Sequence, residues 1–144
     1  MVNQTLSNLL KFRMRRRPEE IYQKVVSLLQ REKPFLDPHL SLRRLAVIVG
    51  TNTQYLSAAI RECTGGNFRS LINDFRIQYA QELFRERANL AEEINFGAFY
   101  TECGFMSKSA FYVAFKSRLN KTPKQYVCEK RYGVYGNGAP LSNR

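Results

Sequence analysis

The chain has 144 residues, 44% hydrophobic and 24% charged, which fits one domain with one or two small cores and excludes a large enzyme. Its 23 Lys and Arg against 12 Asp and Glu give a formal charge of +11 and an isoelectric point of about 9.9. Such a surface attracts phosphate, so nucleic acid is the first expected partner and an anionic membrane surface the second.

Charge is spread along the chain. Residues 1–40 carry 8 basic and 4 acidic groups, 41–90 carry 7 and 4, and 91–144 carry 8 and 4. The one dense run is Lys11-Phe12-Arg13-Met14-Arg15-Arg16-Arg17, which reads as a basic N-terminal tail or linker over 1–17. It suits nonspecific DNA binding, an anionic inner leaflet, or simple solvation. No window approaches the roughly 18 apolar residues of a spanning helix, and no signal-peptide core opens the chain, so a soluble, cytoplasmic protein is expected.

Pro18 followed by Glu19 and Glu20 predicts a helix start, since proline loses nothing at the first position and carboxylates favour the positive end of the macrodipole. Ile21, Val25, Leu28 and Leu29 then form one apolar face, ended by Pro34. Ser41 is placed to cap a short helix through Leu42, Leu45, Ala46 and Val49, stopping at Gly50; Asn52 is placed to cap the next, through Leu56 and Ile60, closed by Gly65-Gly66. Phe68, Leu71, Ile72, Phe75, Tyr79 and Leu83 keep a helical period, predicting a long helix over Phe68 to Arg87 of roughly 30 Å, with no clear stop in Arg87-Ala88-Asn89-Leu90-Ala91.

Phe96, Phe99 and Tyr100 predict a short helix ending at Gly104, and Ser107 caps another through Phe111 and Phe115. Thr122-Pro123-Lys124-Gln125 is a capping box opening a last helix, and from Gly133 to Arg144 the composition predicts a flexible tail. The phenylalanines at 68, 75, 96, 99, 105, 111 and 115 fall at core spacing.

The two pairs of short helices repeat. Leu42-x-x-Leu45-Ala46-x-x-x-Gly50 corresponds to Phe96-x-x-Phe99-Tyr100-x-x-x-Gly104 at an offset of 54; past the turn the offset is 55, matching Leu56, Ile60 and Gly65 to Phe111, Phe115 and Asn120. Two short helices meeting at a glycine is the pattern of a helix-turn-helix. Two copies around a long helix suit two major grooves about 34 Å apart on one face of a duplex. An ordinary all-α bundle is the bland alternative, and a nonspecific DNA-coating or membrane-surface protein the competing one.

Gly104-Phe105, Ser109-x-Phe111-x-x-x-Phe115-Lys116 and Thr122-Pro123-x-x-Tyr126 resemble the signature of the AraC/XylS transcription regulators. Leu45-Ala46, Gly50, Leu56, Gly65, Phe68, Arg76 and Ala80 resemble its first half, so the likeness covers about 18–132. It implies an all-α fold of about seven helices: a first helix-turn-helix at about 41–64, a linker helix at about 67–87 and a second helix-turn-helix at about 95–119. Carried over by position, base contacts fall on Gln54, Ser57 and Ala58, then Lys108, Ala110 and Val113. Backbone contacts fall on Asn52, Thr53, Ser107, Ser109, Tyr112 and Lys116, and Arg43 and Arg44 flank the duplex without an acidic partner at helical spacing. These base-facing side chains are mostly short or apolar. Readout is therefore expected to lean on thymine methyls, on Gln54 bonding adenine, and on DNA shape.

Tyr100 stands where the family has a small residue, and Thr51 where an aromatic or aliphatic one is common, so local packing is expected to differ. No catalytic, metal or cofactor motif occurs; His39 has no placed partner, and Cys63, Cys103 and Cys128 form no CxxC pair. Cys63 and Cys103 are expected to pack as small apolar residues. The partner implied is double-stranded DNA, with RNA polymerase as a candidate second one. The sensor module usual in the family is absent from this chain, which reads as a stand-alone regulator or the output end of a longer sensor-regulator, tethered to a membrane in the latter case.

Overall fold

A computed structural model describes the backbone of residues 2–133, with side chains described at 4–8 and 18–133. Within it lie seven α-helices: α1 (Val2–Glu32), α2 (Leu42–Val49), α3 (Thr53–Thr64), α4 (Phe68–Asn89), α5 (Phe99–Glu102), α6 (Lys108–Leu119) and α7 (Pro123–Tyr132). A 3-10 turn, Pro34–Leu36, follows α1. No strand occurs among the described residues, and none of their helices is long and apolar enough to cross a membrane. The predicted tail beyond Gly133, and the side chains of the Lys11 to Arg17 run, lie outside the described residues.

The chain divides into two units, residues 1–72 and 73–144. In the first, α1 packs on α3 and α2, and α2 on α3. Ile21, Val25 and Leu29 of α1, Leu45 and Ala46 of α2, and Leu56, Ala59 and Ile60 of α3 are buried, as are Phe35, Leu40, Leu71 and Ile72. In the second, Ile77, Ala80 and Phe84 of α4 join Phe99, Cys103, Phe105, Phe111, Ala114, Phe115, Tyr126 and Val127 in one cluster. Its centre is aromatic: Phe84 stacks on Phe99 with ring centroids 4.1 Å apart and meets Phe115 edge-on at 5.9 Å. Such pairs add about 0.5–1.5 kcal/mol each beyond the area they bury. Tyr100 leans against the same cluster, half-buried. Of the predicted core phenylalanines, those at 68, 75 and 96 are half-buried rather than enclosed.

Local chemistry sets the ends of most helices. The side chains of Ser41, Asn52, Ser107 and Thr122 each accept a backbone N–H from the first turn of the helix they precede, and Thr122 and Gln125 close the capping box. Asn67 caps α4 the same way, its Oδ1 accepting from Ser70 N at 2.9 Å.

Three expectations are corrected. The helix predicted to begin at Pro18 begins at Val2, with Pro18 inside it; the missing N–H removes one bond to the turn before, and the helix continues on both sides. The first helix of the second copy is one turn, Phe99–Glu102. Asn95 holds the preceding segment in a turn, its carbonyl accepting from Ala98 and Phe99 and its Oδ1 from Gly97, so Phe96 precedes the helix. Cys63 is exposed, at the end of α3, while Cys103 is buried.

Candidate nucleic-acid interface

The offset of 55 holds residue by residue across the second helix of each pair. Helices α3 and α6 have 12 residues each, Thr53–Thr64 and Lys108–Leu119, capped by Asn52 and Ser107 and closed by left-handed residues, Gly65 at φ 72° and Asn120 at φ 54°. Each buries the same three positions: Leu56, Ala59 and Ile60 in α3, Phe111, Ala114 and Phe115 in α6. The turns match as well, since Gly50 and Gly104 have φ of 75° and 81°.

Burying one stripe commits the opposite stripe to solvent. Gln54, Ser57 and Ala58 on α3, and Lys108, Ala110 and Val113 on α6, are all exposed. Gln54, Ser57 and Ala58 stand three and four residues apart, hence on one helical face. Lys108 Nζ lies 5.5 Å from the centroid of the Tyr112 ring, which orients the ammonium one turn further along α6. Tyr112 itself is half-buried, edge-on to Phe111 at 5.8 Å.

The predicted backbone-contacting residues divide by what already holds them. Asn52 Oδ1 accepts from Tyr55 N at 2.9 Å, and Ser107 Oγ from Ala110 N at 3.1 Å. Both caps spend an acceptor and keep donors, the amide NH2 and the hydroxyl hydrogen, which are what a phosphate takes. Thr53, Ser109, Lys116 and Arg43 are exposed. Arg44 has a partner that helical spacing did not reveal: its Nη1 lies 2.6 Å from Asp37 Oδ2, in the loop before α2. The His39 backbone N–H and then Arg44 hold the Asp37 carboxyl below its ordinary range.

One basic residue escaped the sequence reading. Arg61 is exposed on α3, seven residues beyond Gln54 on the same face, and is the counterpart of Lys116 at the offset of 55. The repeat itself was the signal that could have found it. Other cations near α6 are tied to protein groups: Arg118 pairs with Asp74, and Lys121 with Glu129.

No cluster of His, Cys, Asp and Glu able to hold a metal occurs among the described residues. Burial pushes the Cys103 thiol up to about 12, and burial with Glu19 and Glu62 nearby raises that of Cys63, so neither is a poised thiolate.

Two copies of helix, glycine turn and capped 12-residue helix, each with one stripe buried and the other open, define a DNA-binding domain of the helix-turn-helix class. The family model described as "Helix-turn-helix domain" matches residues 45–128, more than half of the chain, and the chain belongs to this family, in its AraC type. The family is one of DNA-binding regulator domains and not of enzymes.

Among solved structures, the chain is similar to an AraC-type transcriptional regulator from Chromobacterium violaceum, at 18% identity over 79% of this chain and 95% of that one, with a TM-score of 0.65. It is similar to the C-terminal domain of AraT, a response regulator from Geobacillus stearothermophilus, at 24% identity over 74% and 82%, TM-score 0.59. It also resembles the C-terminal domain of the two-component response regulator YesN from Fusobacterium nucleatum, at 24% identity over 76% and 95%, TM-score 0.57. At these identities the likeness is one of fold. No curated protein matches the chain.

Proposed function

We propose that this chain is a sequence-specific transcription regulator that reads two adjacent major-groove segments of double-stranded DNA, one with α3 and one with α6. The observation that carries this reading is the register-matched repeat: at an offset of 55, α3 and α6 share caps and buried triads, and both members of the pairs Thr53 and Lys108, Gln54 and Ser109, Ala58 and Val113, and Arg61 and Lys116 are exposed. In this reading Gln54, Ser57 and Ala58 meet base edges in one segment, and Lys108, Ala110 and Val113 in the other. Phosphates are held by Arg43, Asn52, Thr53, Ser107, Ser109, Tyr112 and Lys116, joined by Arg61. Arg44 contributes charge from its pair with Asp37.

The DNA-binding part spans 18–132, with reading units at about 41–64 and 95–119 joined by a linker helix at about 67–87. It serves as the output end of a longer sensor-regulator, working in the cytoplasm with RNA polymerase as its second partner. Two of the similar structures, both C-terminal domains of response regulators, support that role.

The test is competition. A labelled duplex carrying the preferred site is bound at near-physiological salt and challenged with random duplex. A reading protein prefers its site by about 10³ or more. Equal competition by random DNA, with only the salt-dependent backbone affinity, would overturn the reading.

A further inference from the structure

We propose that α6 reads the C5-methyl groups of pyrimidines, so that its half-site accepts 5-methylcytosine as well as thymine. This rests on the proposed function, and it separates the chemistry of the two reading helices. At the offset of 55, Thr51 becomes Met106, Gln54 becomes Ser109 and Ala58 becomes Val113. Thr51 to Met106 and Ala58 to Val113 exchange a hydroxyl and a small group for larger apolar ones, while Gln54 to Ser109 shortens a polar side chain.

The fold does not ask for those apolar groups. Val113 is 71% exposed and Met106 69%, although α6 encloses Phe111, Ala114 and Phe115. Met106 stands just before the cap Ser107, the position from which a side chain commonly packs onto the fourth helical residue, here Phe111. Phe111 is fully buried among Phe99, Phe105 and Phe115, with Phe105 at 5.3 Å, and has no need of Met106. Ala110 and Val113 lie three residues apart on α6, the spacing of one helical face, and both are exposed, as is Met106 before the cap.

The chemistry of the major groove selects their ligand. Thymine and 5-methylcytosine carry the same methyl at C5 and differ at position 4, where one presents an acceptor and the other an amino donor. A side chain that hydrogen-bonds in one direction would tell them apart. Ser109, assigned to phosphate, would not do so even at a base edge, because its hydroxyl both donates and accepts. Lys108 has only donors, and the N7 acceptor it can reach on the opposite strand is common to adenine and guanine. What remains to discriminate is the methyl.

Four duplexes test this, identical except at one pyrimidine step of the α6 half-site: T·A, deoxyuridine·A, 5-methylC·G and C·G. Binding is measured by fluorescence anisotropy at fixed salt. Removing the methyl weakens binding about fourfold in each background, the worth of about 0.8 kcal/mol for one buried methyl-sized group. Val113→Ala brings both ratios toward one. Deoxyuridine binding as tightly as thymine, or 5-methylC·G binding no better than C·G, overturns the proposal. If sequence preference persists while the ratios are one, methyl reading alone has failed; if no preference exists in either half-site, the proposed function has failed with it.

Discussion

Arg61 and Lys116 occupy equivalent exposed positions near the ends of α3 and α6, and the proposed reading assigns both to phosphate. Replacing either with alanine is expected to weaken binding to all duplexes alike and to lower the slope of log K against log salt by about 0.9, measured by titration between low and physiological salt. Gln54 differs in kind in that reading, since an amide can give adenine two bonds at once, and Gln54→Ala is expected to relax one base position by about 1–3 kcal/mol, measured against a panel of single-base variants of the site. Cys103 supplies a pH dependence unrelated to DNA. Its thiol is pushed from an ordinary value near 9 up to about 12, so the folded chain holds this proton after the unfolded chain has lost it. Stability therefore falls as pH rises from about 9 toward 12, by up to about 1.4 kcal/mol per pH unit from this group. Cys103→Ala, though less stable at neutral pH, is expected to show a shallower decline in urea midpoint between pH 9 and 11.

At the scale of elements, left-handed residues decide where helices stop. Gly50 takes φ 75° with open space where a Cβ would stand, so Gly50→Ala is expected to cost about 1–2 kcal/mol from backbone strain alone. After α4 the corresponding residue is Ala91, at φ 54°. Glu92 N bonds back to Arg87 O across it, closing the helix without glycine. Ala91→Gly is expected to stabilise the chain by up to about 1 kcal/mol in urea unfolding. The same pair explains what was legible beforehand. Stops made by glycine or asparagine, at Gly50, Gly65 and Asn120, were visible in the sequence, as were the side-chain caps. The stop at Ala91 carried no signal, because alanine there obeys the bonding of its neighbours rather than its own preference. Pro18 misled for the opposite reason: a strong local start signal lies within a helix that continues through it.

Across the whole molecule, two cores of different texture carry the same local device. The first unit is enclosed largely by aliphatic side chains, the second by stacked and edge-on aromatics around Phe84, Phe99, Phe111 and Phe115. Spacing marked Phe99, Phe105, Phe111 and Phe115 as core, whereas Phe68, Phe75 and Phe96, at the same kind of spacing, are half-buried. The candidate base-facing residues Gln54, Ser57, Ala58, Lys108, Ala110 and Val113 were named by the family resemblance, and all six are exposed. Pairing partners were not readable: Asp37 meets Arg44 through a loop, where no fixed spacing applies. The net charge of +11 adds affinity for any duplex, so binding alone cannot separate reading from coating.

The decisive measurement is selection of bound sites from a random duplex pool at near-physiological salt, with Gln54→Ala and Lys108→Ala run beside the parent chain. The account predicts an enriched motif of two short blocks, one relaxed by the first substitution and the other by the second. Absence of enrichment, despite binding that weakens steeply with salt, would contradict it.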